Sequence, residues 1–402
     1  MYLSPIIIFL GPWILGSVAT FYFSDYSLIF NNLSITGTWY LSLVGLFLFY
    51  SLIIFNIQRR RSLNLENIIK EKLNLNSLSS LIKLFVVLHF LTVLLSILYS
   101  SGFPLYWLII GDQRTYVDYG IPTISGLSHL LRAYSLVCCL ILYLFGSKKQ
   151  KKLAIYSSIY FVFTAFFLEL SRGNGAVMLA HPLGFYFLIR KISFKNISVI
   201  LISAFISIPF FTFIQILRYG DFEFEKLNLQ LLNAGISDSS TMALIFTPAA
   251  LYASAPIMNM DLNLKNAEDF KFSPDKSITL LMPSFIRDYL AGEKSSPEKY
   301  GLLISEAYNT TSFLTPLIQD FGRFGALFIT FLFLSISGYI YSRAREGSIF
   351  YILLWPPIFM SLIFSAFTLY FLALIVVLYP FLVMVSYNFL LNKKQRYFRG
   401  EK

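Results

Sequence analysis

The chain has 402 residues, of which 56% are hydrophobic and 13% charged, with a net charge of +11. Ordinary globular domains hold roughly 45–50% apolar and about 25% charged residues, which excludes a soluble protein of two or three domains. The basicity is also no nucleic-acid footprint. Four inter-helix gaps and the tail hold 20 Lys and Arg against four acids, and the rest of the chain holds 12 against 17.

The apolar stretches predict ten membrane-spanning helices, at about 3–23, 38–57, 82–101, 124–146, 153–171, 174–190, 196–217, 322–342, 349–367 and 370–391. Each is near the roughly 20 residues that a bilayer requires. The first has no preceding basic residue and no small-residue cleavage pattern, so it reads as a retained helix. Every second gap is basic: Arg59–Arg61, Lys148–Lys152, Arg190–Lys195, Arg343–Arg345 and Lys393–Arg399. Translocating positive charge is disfavoured, so these gaps and both termini are expected in the cytoplasm, with anionic headgroups as their partner. The fold class is therefore an all-α polytopic membrane protein, a single integral domain over 1–402. The stretch 63–81 reads as an amphipathic helix lying on the surface.

The outer side holds a loop from Gly102 to Thr123, a tight turn at Arg172–Asn174 and a large segment, 218–321. Within that segment, Thr241–Met260 is apolar but interrupted by Pro248 and Pro256, which predicts an interfacial or re-entrant helix pair. Cys138 and Cys139 are adjacent in an apolar run, so neither a disulfide framework nor a Cys/His metal pattern is present; no metal and no cofactor are expected.

Ionisable side chains at the edges of membrane spans are costly and mark functional sites by default. Three pairs share a three-residue spacing that places both members on one helix face: His129/Arg132, Glu169/Arg172 and Asp320/Arg323. Arg218 ends the seventh span, and Arg114, Arg287 and Asp288 lie in outer loops. Each has a plainer reading: neutralising ion pairs, snorkelling of Arg132 to headgroups, or a solvated loop pair. His89 and His181 read as structural, the latter beside a kink at Pro182. Taken together, arginines on the outer side form an anion site, because guanidinium binds phosphate bidentately and stays charged. Glu169, Glu306 and Asp320 are candidate general bases for a sugar hydroxyl.

The segment from Asn309 to Gly325 opens Asn-Thr and contains Asp320-Phe321-Gly322 and Gly325. With Ser171-Arg172-Gly173, the glycines and serine of 120–128 and Arg218-Tyr219-Gly220, it resembles the Wzy-type oligosaccharide repeat-unit polymerases of bacterial O-antigen and capsule pathways. The resemblance implies a multi-pass enzyme of the bacterial inner membrane with its large loop in the periplasm. Such an enzyme transfers a growing glycan from undecaprenyl pyrophosphate to the next lipid-linked repeat, with a chain-length regulator as a further partner. It also implies substrate-binding roles for Arg172, Arg218 and Arg287. The residues themselves add Arg323, Arg132 and His129 as candidate binders and make Asp320, Glu306 and Arg172 the candidate catalytic groups. Gly173, Gly322 and Gly325 are expected where backbone turns tightly or approaches closely. Two rival readings are a ligase using the same carrier and a flippase. The second is disfavoured because the polar groups gather on the outer side and no internal repeat is visible.

Overall fold

A computed structural model describes residues 4–24, 44–45, 48, 64–114, 118–191, 241–283, 286, 289, 301–303 and 310–392, with the backbone alone at 21–24, 172, 241–252 and 276. The described residues form helices and one isolated antiparallel bridge, between Leu73 and Leu391. In chain order these are α1 (Pro5–Ser24), α2 (Leu65–Lys72), α3 (Leu75–Tyr99), α4 (Pro104–Ile109), α5 (Ile124–Phe145) and α6 (Lys148–Phe163). The π-turn Thr164–Leu168 extends α6, and α7 (Arg172–Ile189), α8 (Thr241–Lys265), α9 (Asp275–Leu281) and α10 (Leu314–Arg345) follow. The last are α11 (Ile349–Ile363), a 3-10 turn (Tyr370–Leu372) and α12 (Leu374–Leu390).

Local chemistry sets the helix starts. Asn64, Asn74 and Ser171 accept backbone N–H groups of the first turns of α2, α3 and α7. Ser147 and Gln150 form a reciprocal capping box ahead of the Lys148–Lys152 run.

Helices α5 and α11 form the centre. α5 packs on α3, α6, α7 and α12, and α11 on α1, α7, α10 and α12. Aromatic contacts close the middle: Phe9 against Phe313, Tyr134 against Tyr379, and His181 stacked on Tyr379 at 5.6 Å. Outward faces stay apolar, as at Val87, Leu91, Leu94 and Leu98 of α3 and Phe324, Phe328 and Ile336 of α10. Among the described residues, four helices are long and apolar enough to cross a membrane: Leu75–Tyr99, Ile124–Phe145, Lys148–Leu168 and Leu314–Arg345. Shorter apolar helices accompany them at Pro5–Thr20, Gly173–Ile189, Ile349–Ile363 and Leu374–Leu390. The expected spans 38–57 (apart from 44, 45 and 48) and 196–217 lie outside the described residues.

The ends that carry the basic gaps meet on one face. Gln150 Nε2 donates to Asn76 Oδ1 at 3.0 Å, joining the starts of α6 and α3. Arg190, just past α7, pairs with Glu66 of α2 at 2.9 Å. Arg345 at the end of α10 donates to the Leu188 carbonyl at 2.7 Å, and the end of α12 bonds Asn74 at 2.8 Å. The opposite end of the bundle therefore holds the starts of α5, α7 and α10 and the end of the π-turn.

Three details differ from expectation. The Thr241–Met260 stretch is not a broken pair but part of one helix, α8, that continues through both prolines and packs along α1 and α10. Contact with α1 is close enough that a Cβ on Gly16 would meet the Ala253 carbonyl at 2.8 Å, so tertiary packing holds a helix that proline alone would disfavour. α7 runs through Pro182 as one helix, and His181 bonds the Val177 carbonyl at 2.7 Å. α10 begins eight residues before the expected span and breaks at Gly322, where φ is 70° and ψ −177°. The part at 323–345 is then about 34 Å long, close to a bilayer's apolar thickness.

Candidate functional site at the end opposite the basic gaps

Arg132 lies in the third turn of α5 and is 1% exposed. Its guanidinium forks onto Glu169, donating from Nη1 to Oε1 at 2.9 Å and from Nη2 to Oε2 at 3.0 Å. Nη2 also contacts His129 Nδ1 one turn earlier on α5. Arginine can only donate, so His129 Nδ1 accepts and Nε2 carries the proton. The Asn174 amide lies 3.2 Å from that Nε2 and must turn its oxygen toward it. Arg132 therefore points inward and does not snorkel to headgroups.

Glu169 faces Arg132, from the other side of the α5/α6 hairpin. Its three-residue spacing from Arg172 does not place the two on one helix face, because the helix ends between them. Leu170 takes a left-handed φ of 47°, and Ser171 caps the start of α7. Arg172 is the first residue of α7, at this same end of the bundle, and its side chain lies outside what is described. All the described non-glycine residues with left-handed φ, Ser101, Thr123 and Leu170, flank the ends of helices here. Each such residue costs on the order of 1–3 kcal/mol, and strain of that kind gathers at functional sites.

The cluster is the wall between two cavities. One, of about 40 Å³, is polar and lined by Ser96, Tyr119, Ser125, Ser128, Ser171 and Glu169, with His129 and Asn174. That volume holds a few waters. The Tyr119 hydroxyl has no partner among the described residues, and burial pushes the phenol up, so it stays protonated and able to donate. The other cavity, of about 220 Å³, is apolar, formed by Leu127, Leu130, Val177, Met178, Ile375 and Leu378. His129, Arg132 and Asn174 are shared out along its polar edge. Behind the cluster, His89 of α3 meets the Tyr160 hydroxyl at 3.0 Å and packs edge-on against Phe161.

The second predicted centre is built differently. Asp320 is 1% exposed, and its Oδ2 accepts the Ser277 N–H at 2.6 Å. Arg323, past the break at Gly322, donates to the Leu264 carbonyl at 3.1 Å and to Asp269 at 3.4 Å. The Gly322 conformation lies in a region that only glycine adopts freely. It lays the segment 268–273 along the helix: Arg323 and Phe324 donate to the carbonyls of Glu268 and Asp269, and Lys271 and Ser273 donate to those of Phe321 and Asp320. A Cβ at Gly322 would meet both acceptor carbonyls at 2.8 Å. The expected close approach is therefore to that segment. Gly173 is expected to be tight, yet a Cβ there would meet none of the described residues of other elements within 4 Å. A polar cleft of about 460 Å³ opens beside Asp320.

Arg114 is engaged in its own loop, bonded to Asp112 at 2.6 Å and to the Ser100 carbonyl at 2.7 Å, with its guanidinium over the Trp107 ring. Hydrogen bonds from Arg114 hold the Asp112 carboxyl below the usual carboxylate range. Arg218, Arg287 and Glu306 lie outside the described residues. Among the described residues no group of three His, Cys, Asp or Glu is placed to hold a metal ion. The cluster's decisive pair, Arg132 with Glu169, is 37 positions apart, and no local spacing announces it. Compared with protein-family models, with curated proteins and with solved structures, the chain matches none.

Proposed function

We propose that the chain is a membrane glycosyltransferase that joins lipid-linked oligosaccharide repeats on the outer face of the bacterial inner membrane. It crosses the membrane ten times, with both termini in the cytoplasm. The observation that carries this reading is the Arg132–Glu169–His129–Asn174 cluster, buried between a polar and an apolar cavity. A buried ion pair contributes little net stability, because desolvation offsets its attraction. A bundle that keeps one at the junction of a wet and an oily cavity is suited to an amphiphile whose charged head and apolar tail part at that point. A polyprenyl diphosphate sugar is such a substrate.

In the reaction, an acceptor hydroxyl oxygen bonds to the anomeric carbon of the donor. The bond from that carbon to the diphosphate oxygen breaks, and the diphosphate leaves with the electron pair. The hydroxyl proton passes to a carboxylate, with Asp320 and Glu306 assigned that role. Arg172, Arg218 and Arg287 are assigned to the diphosphate, where fixed positive charge stabilises the leaving group. Arg132 has both prongs of its fork on Glu169, so its role is to position His129 and Glu169 rather than to grip the diphosphate directly.

The test is chain growth by purified protein given a polyprenyl-diphosphate-linked repeat. The expected product is a ladder, and Arg172→Glu is expected to abolish it while the protein stays in the membrane. A wild-type ladder from that variant overturns the role of Arg172. A single transfer to lipid or protein without a ladder favours a ligase.

A further inference from the structure

The cleft beside Asp320 is the largest of the cavities described, and its lining has a pronounced bias in hydrogen-bonding character. Glu268, Asp275 and Asp320 bring carboxylates, and Lys271 is its one described cation. Gln319 adds a fixed acceptor. Its Nε2 donates at 2.9 Å to Asn263 Oδ1, which also accepts from the Leu302 N–H at 3.0 Å. Asn263 Nδ2 in turn donates to the carbonyls of Asn259 and Leu302, so the amide orientations are set by the network. The Gln319 Oε1 that remains is buried and has no partner among the described residues. A buried carbonyl oxygen left unsatisfied is costly unless a ligand or water donates to it.

An acceptor-rich cleft selects ligands that donate: hydroxyl, amide N–H and ammonium groups. It disfavours carboxylate and phosphate, which bring like charge to three carboxylates. Phe270 and Phe272 alternate with Lys271 and Ser273 in the segment 268–273 and are 73% and 83% exposed. They pack on Phe324 and Phe321, apolar surface beside a polar cleft, as sugar rings require. α9, which carries Asp275, also packs on the 3-10 turn and α12 that wall the apolar cavity.

We infer that this cleft binds a saccharide and is selective for neutral or amino sugars over uronic acids. The inference rests on the proposed reading of the chain as a saccharide-joining enzyme, and it names the sugar chemistry that enzyme handles.

The experiment measures binding of the full chain in nanodiscs to short oligosaccharides of hexose, N-acetylhexosamine, hexosamine and hexuronic acid. Binding is expected for neutral or amino members, with hexuronic acid at least about tenfold weaker. Gln319→Leu is expected to weaken the bound members about tenfold, and Asp275→Lys to narrow the discrimination against hexuronic acid. Thermal unfolding of each variant separates lost binding from lost fold. Equal binding of hexuronic acid, or no binding of any member by folded protein, overturns the inference. Binding without chain growth from a lipid-linked donor sinks the enzymatic reading and leaves the cleft standing. Chain growth with wild-type saccharide KM in Gln319→Leu and Asp275→Lys does the reverse.

Discussion

At the residue scale, the energetics of Arg132 and Glu169 separate structure from function. Removing one partner of a buried pair strands the other charge, at a cost of about 3–5 kcal/mol, whereas replacing both by apolar groups is often neutral. Glu169→Gln and Arg132→Met are each expected to lower the unfolding temperature of the detergent-solubilised protein. The double variant Arg132→Met with Glu169→Leu is expected to recover most of that loss while remaining inactive in chain growth. A double variant as unstable as the singles would make the pair a structural requirement. An active double variant would remove the cluster from the mechanism. Arg132→Lys keeps the charge but loses the two-pronged geometry, and is expected to fall between wild type and Arg132→Met in stability.

At the element scale, three side-chain pairs with identical spacing have different fates. His129 and Arg132 lie within unbroken α5 and touch. Glu169 and Arg172 straddle the turn at Leu170, and Asp320 and Arg323 straddle the break at Gly322, so the helical spacing no longer places either pair on one face. The residues of the site were legible in the sequence as costly groups at span edges. Their partners were not, because the spacing rule holds only where the helix is continuous and Leu170 carries no mark of a left-handed turn. Gly322 was legible as a special glycine, but only the carbonyls of Glu268 and Asp269 show why. Gly322→Ala is expected to combine backbone strain of roughly 1–3 kcal/mol with a clash against those carbonyls. Limited proteolysis should then cut within 268–273 faster than in wild type. An unchanged cleavage rate would mean that this docking is not held by the glycine.

At the scale of the whole molecule, the alternation of basic gaps was the clearest signal in the chain. It was readable because the penalty on moving lysine and arginine across a bilayer acts on short segments, whatever the tertiary fold. The interior of α8 was hidden, since its two prolines argue locally for a break and only packing along α1 overrides them. Sidedness can be checked by thiol labelling, for which Cys138 and Cys139 are a quiet background because both are buried. Lys149→Cys and Glu346→Cys are expected to react from the cytoplasmic side, and Ile110→Cys and Lys271→Cys from the outer side. Labelling of all four from one side would refute the proposed arrangement.

The bridge at Leu73 and Leu391 has a consequence for how the protein is made. Asn392 donates from its backbone to the Lys72 carbonyl at 3.0 Å and from its side chain to that of Glu71 at 2.5 Å, 321 positions away. The junction between α2 and α3 keeps its backbone groups waiting for residues made 321 positions later. Insertion can proceed helix by helix, but the bundle is latched only when those late residues arrive. A chain truncated before α12 is expected to lack this latch and to be cleared faster than the full chain, which a pulse-chase comparison of the two would measure.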